Sequence, residues 1–106
     1  MKNSFTIYFE QSGGFMGLTI SVELNDKILS KDEKEHVHIL IEQAKFFELQ
    51  TETNDHPLPD QLLYRISVET ATQHHTLMVY EHQVTAELKP LVKFLSRKAR
   101  TRRSDK

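Results

Sequence analysis

The chain predicts an α+β domain of element order ββαββα: a four-stranded sheet with one face open and two helices packed on the other. Three observations carry that expectation. Four short runs alternate apolar and polar residues with period two, as half-buried strands do. Two longer runs repeat apolar residues at three- and four-residue spacing, as amphipathic helices do. A length of 106 residues supplies one two-layer core and not two.

Residues 3–10 open the pattern, with Phe5, Ile7 and Phe9 on one face and Ser4, Thr6, Tyr8 and Glu10 on the other. Residues 18–25 repeat it, Leu18, Ile20, Val22 and Leu24 inward and Thr19, Ser21, Glu23 and Asn25 outward. Between the two runs, Ser12, Gly13, Gly14, Phe15, Met16 and Gly17 hold all three glycines of the chain. Glycine tolerates backbone conformations and close approaches that other residues resist. A hairpin needs only about two to five residues to turn, so a tip from about Gln11 to Gly17 exceeds what connection requires. The expectation is that the tip makes contacts of its own, with Phe15 and Met16 as its apolar anchors.

The helix layer begins at Ser30, with Glu33 three residues on, the pairing of a capping box. Val37, Leu40, Ile41 and Ala44 continue as its buried stripe, and Phe46, Phe47 and Leu49 close the core edge where it ends. A polar segment from Gln50 to Asp60 holds Asn54, Asp55, Pro57 and Pro59 and reads as a second long loop. A third strand then places Leu62, Tyr64, Ile66 and Val68 inward, Thr70 to Gln73 turn the chain, and a fourth places His75, Leu77 and Val79 inward. The last stripe is Val84, Leu88, Leu91, Leu95 and Ala99. Pro90 interrupts it, which predicts a short turn near Thr85 to Lys89 and a fresh start at the proline. Past Ala99 the residues are charged and aperiodic, so the domain is expected over 1–99 and a disordered basic tail over 100–106.

Strand order stays open at this point. If the second and third strands are parallel neighbours joined by a crossover, the glycine tip, the Asn54 to Pro59 loop and the exit after Tyr80 share one end of the sheet. If the third strand runs antiparallel to the second, the Thr70 to Gln73 turn replaces the other two beside the tip.

Several function classes fall away on composition. No run of about 18 apolar residues is present to span a membrane, and the opening residues lead straight into strand alternation. A cytoplasmic protein is the expectation, without a membrane role. Cysteine is absent, which removes disulfides and thiolate chemistry. Residues 96–106 carry +5 and the remaining chain −6, an acidic body that argues against a nucleic-acid-binding face.

Six histidines invite a metal reading that their spacing does not support. His36 and His38 lie about 200° apart on a helix, whereas zinc helices space ligands at i and i+4. His74 and His75 point to opposite faces of a strand, His56 falls in a loop and His82 near a strand end. No metal and no cofactor are expected. Ser12 is followed by a strand and so lacks the strand-to-helix setting of a nucleophile elbow. The glycine run precedes no lysine and no helix, so it is not a phosphate loop. No catalytic residues are assigned.

Four features together resemble the emfourin family, the protealysin inhibitor and its bacterial relatives: Ser12-Gly13-Gly14-Phe15-x-Gly17 in an N-terminal hairpin, Ala44-x-Phe46-Phe47-x-Leu49 at a helix end, Tyr64-x-Ile66-x-Val68 in a strand, and Leu88-x-Pro90-Leu91 in the last helix. Met16 stands where the family pattern would have a small residue, and the basic tail lies outside it. The resemblance implies a non-enzymatic inhibitor, expected as a monomer, whose partner is a thermolysin-like zinc metallopeptidase. On that reading Ser12 to Gly17 and the Asn54, Asp55, His56, Pro57 and Leu58 loop enter the peptidase cleft. Phe15, Met16 or Leu58 would fill its apolar specificity pocket, and Asp55, His56 or Glu81 would approach the zinc. The alternative is a non-enzymatic adaptor that binds protein or nucleic acid through the basic tail.

Overall fold

The computed structural model describes residues 5–13, 19–50 and 61–102, with side chains through Arg100. Strands β1 (Phe5–Gly13) and β2 (Ile20–Asn25) are followed by helix α1 (Lys31–Ala44), strands β3 (Leu62–Thr70) and β4 (His74–Tyr80), and helix α2 (Lys89–Arg102). This is the expected ββαββα order. All three pairings are antiparallel, and the sheet runs β2-β1-β3-β4.

The alternation of each strand decides which face is buried. Phe5, Ile7, Phe9, Val22, Leu24, Tyr64, Ile66, Val68, Leu77 and Val79 all bury their side chains, while Thr6, Glu23, Arg65, Glu69 and Thr76 stay on the other face. Val37, Leu40, Ile41 and Ala44 of α1 and Leu88, Leu91, Val92, Leu95 and Ala99 of α2 cover the apolar face. The open face carries its own cross-strand contact, with the Ser67 and Thr76 hydroxyls 2.7 Å apart.

Each helix starts where its sequence directs. Ser30 Oγ accepts the Glu33 N–H at 3.2 Å and the Glu33 carboxylate accepts the Ser30 N–H at 3.0 Å, closing the capping box. The chain leaves α1 through Lys45 at φ 55°, and a single 3-10 turn, Phe46–Glu48, drives the Phe46 ring fully into the core. Thr85 then caps a short turn, its Oγ1 accepting the Leu88 N–H at 3.1 Å, and α2 starts one residue before Pro90. The proline has no N–H to lose in a first turn. The helix continues three residues past the expected domain boundary at Ala99.

The two helices lie antiparallel across the sheet. Near the start of α1, Glu33 pairs with Lys98 of α2, and His36 sits edge-on to Phe94 with centroids 5.5 Å apart. Just beyond the other end of α1, Leu49 and Gln50 share a cleft with Leu88, Leu77 and Val79. The hydrogen bond from Lys98, and then that from the Ser30 N–H, hold the Glu33 carboxyl below its ordinary range.

One expectation changes, and the open question of strand order closes. The tip was expected to begin near Gln11, but β1 runs to Gly13, because β3 supplies partners at Gln11↔Tyr64, Ser12↔Leu63 and Gly13↔Leu62. The second and third strands run in the same direction without being neighbours, since β1 lies between them and pairs antiparallel with both.

Candidate functional site

Strand direction decides which connections meet. β1 ends at Gly13 opposite Leu62, where β3 begins, and Leu63 stands opposite Tyr80, where β4 ends. The end of β1, the entry to β3 and the exit from β4 therefore share one end of the sheet. Residues 14–18 and 51–60 join that end outside the described residues, so the expected contact residues Gly14, Phe15, Met16, Gly17, Asn54, Asp55, His56, Pro57 and Leu58 fall there. Ser12, Gly13 and Glu81 are described, and they lie at this same end.

Gly13 occupies a position that needs glycine. Its φ is +87°, and a Cβ there would stand 2.8 Å from the Gln61 carbonyl oxygen. The Gln61 carbonyl thus stands closer to Gly13 than a side chain at position 13 would allow. His82 holds the same residue from the other side, its Nδ1 lying 3.0 Å from Gln61 Oε1 and its ring stacked on Tyr80. At the opposite end of the sheet, His75, paired with Val68 near the Thr70 turn, acts at Leu49, before residues 51–60. His75 Nε2 lies 2.6 Å from the Leu49 carbonyl, which requires the proton on that nitrogen. Its ring packs edge-on against Phe46 at 5.3 Å.

Beneath the Gly13 end, on the helix side, the polar groups are ordered. Ser96 Oγ of α2 donates to Gln11 Oε1 at 3.3 Å. Tyr64 stacks on Phe9 with centroids 5.9 Å apart, and burial pushes its phenol above the ordinary range; Glu81 adds to the rise and Arg100 opposes it. Tyr64 therefore lies within the fields of a carboxylate from the exit of β4 and a guanidinium from the end of α2.

The described histidines do not converge on one another. His36 and His38 lie against Phe94 and Phe5, and no group of three or more histidine, aspartate or glutamate side chains able to hold a metal occurs among the described residues. The opposite end of the sheet carries a groove of about 350 Å³ between the end of α1 and the Thr70 turn, walled by His38, Glu42, Lys45, Phe47 and Thr70. Gln61 and Arg100 were not singled out from sequence. Their roles depend on pairings between distant segments that periodicity does not report.

The arrangement is that of an α+β scaffold, a four-stranded sheet covered on one face by two helices, with the end of β1, the entry to β3 and the exit from β4 at one end. The chain belongs to the Emfourin family, whose model matches residues 9–96. Membership implies a protease-inhibitor role. No curated protein and no solved structure matches the chain significantly. No helix among the described residues is long and apolar enough to cross a membrane.

Proposed function

We propose that the chain inhibits thermolysin-like zinc metallopeptidases, of the protealysin kind, by inserting the glycine tip and the neighbouring 51–60 loop into the active-site cleft. The observation that supports it most is the meeting of Gly13, Gln61 and Tyr80 at one end of an antiparallel sheet, where the chain enters residues 14–18 and leaves residues 51–60. A preorganised sheet lowers the conformational entropy lost on docking. The inhibitor acts by occupying the cleft and needs no turnover chemistry of its own.

In this reading Ser12 and Gly13 form the rigid stem, and Gly14 and Gly17 let backbone enter where side chains would clash. Phe15, Met16 or Leu58 fills the apolar pocket that accepts the residue after the scissile bond. Asp55, His56 or Glu81 approaches the zinc or its bound water, where a carboxylate or imidazole would compete with the attacking group. The inhibitor acts as a monomer in the cytoplasm.

Titrating a thermolysin-like peptidase with wild type, Phe15→Ala and Gly14→Val tests this. Truncating a buried anchor costs about 2 kcal/mol or more, so each variant should raise the inhibition constant about thirtyfold. Unchanged constants for both would remove the tip as the contact. A panel of metallo-, serine and cysteine peptidases checks the class, with inhibition expected for the thermolysin-like group alone.

A further inference from the structure

Helix α2, Lys89–Arg102, contains no acidic residue. At 100° per residue its apolar stripe faces the sheet, Phe94 and Lys98 face α1, and Ser96 turns the other way toward Gln11. The flank on the Ser96 side and the adjoining outer surface carry Lys89, Lys93, Arg97 and Arg100, all exposed. Gln11 is two residues from the end of β1, and Arg100 acts electrostatically on Tyr64. The basic row therefore borders the end of the sheet where β1 ends, β3 begins and β4 exits.

Arg100 lies in the last turn, where the helix dipole favours a cation, but helix stability does not account for Lys89 and Lys93. Lys89 lies in the first turn, where the helix dipole disfavours a cation. Lys89, Lys93 and Arg97 follow one another at i, i+4, a spacing at which like charges repel. The exposed side of α1 looks different, with Lys31, Asp32, Lys34, Glu35 and Glu42 mixing both signs as a solvated helix face does. The chain as a whole carries −1, so the rest of it carries −5 once these four cations are set apart. They span about 16 Å along the helix. The row borders the end of the sheet that the inhibitor reading presents to the peptidase, so the surface it meets there is the rim of that protein.

We infer that Lys89, Lys93, Arg97 and Arg100 form an electrostatic docking surface for an acidic patch on the rim of the peptidase whose cleft receives the loops. This rests on the inhibitor reading above. The row steers the inhibitor loop-end first and contributes mainly to the rate of association.

The test is the association rate of the full chain with a thermolysin-like peptidase at low and physiological ionic strength, read from inhibition progress curves. Reversing all four charges (K89E, K93E, R97E and R100E) should slow association at low salt by about tenfold or more. It should also abolish most of the salt dependence. A quadruple glutamine variant, checked for folding by circular dichroism, should fall between the two. Reversal of Lys31 and Lys34 on the other helix should leave the rate at the wild-type value. Wild-type rates and wild-type salt dependence in both quadruple variants would overturn the docking surface while leaving inhibition standing. A wild-type chain that inhibits no peptidase would fail the parent reading and this one with it. Row-dependent binding to duplex DNA or to anionic vesicles, with peptidase association unaffected by the row, would assign these cations to a phosphate partner and overturn the inference.

Discussion

The two ends of the sheet solve the same problem differently. At one end the chain turns on local bonds: Asn25 Oδ1 accepts the Lys27 and Ile28 N–H groups at 2.9 and 3.0 Å, and Thr70 Oγ1 accepts the Gln73 N–H at 3.0 Å. Each turn satisfies itself within a few residues. At the other end the anchors come from far along the chain, Gln61 against Gly13, His82 on Gln61, and Ser96 on Gln11. A self-sufficient turn has little to offer a partner. Connections whose bases are fixed by distant elements can be long, and their shape is set by the whole fold.

If the turn end is purely structural, the largest effect on stability should arise there with no change in inhibition. Phe46→Ala empties a fully buried site beside His75 and should cost about 3–5 kcal/mol. Chemical denaturation measures the loss, and the inhibition constant of the folded fraction should stay at the wild-type value. A smaller effect on stability with a larger one on binding is expected at the other end. Gly13→Ala forces a side chain into φ +87° against the Gln61 carbonyl, a strain of about 1–3 kcal/mol. It should raise the inhibition constant at temperatures where the variant is still folded, and a variant that lost stability alone would merge the two ends into one structural role. The smallest change should follow Asn25→Ala, which removes the side-chain acceptor of a local turn and should cost about 1 kcal/mol in thermal melts with no effect on inhibition.

The same contrast separates what the residues announce from what they do not. Local features were legible: the alternation of Phe5, Ile7 and Phe9, the Ser30 and Glu33 cap, and the restart at Pro90 all depend on neighbours within a few positions. Phe46, Phe47 and Leu49 at the core edge followed from the end of the helical stripe. The length of β1 was not legible, because Ser12 and Gly13 are strand residues only by virtue of Leu63 and Leu62. Nor was the sheet order, which interposes β1 between two strands of like direction. Ser12, Gly13 and Glu81, expected as contact residues, lie at the end of the sheet where β1 ends and β3 begins. Gln61, His82 and Arg100 act there through pairings of segments twenty or more positions apart, which no periodicity encodes.

The order β2-β1-β3-β4 also bears on how the molecule comes into being. The first strand made is an interior strand, and its second neighbour is synthesised only after α1 and residues 51–60. Until β3 arrives, one long edge of β1 offers unpaired backbone groups, and the apolar faces of β1 and β2 lack the α2 side chains that cover them. Pairing so distant in sequence slows folding relative to a helical bundle of equal size. A β1–β2 hairpin formed before β3 would leave one edge of β1 unpaired, and such an edge is a template for aggregation.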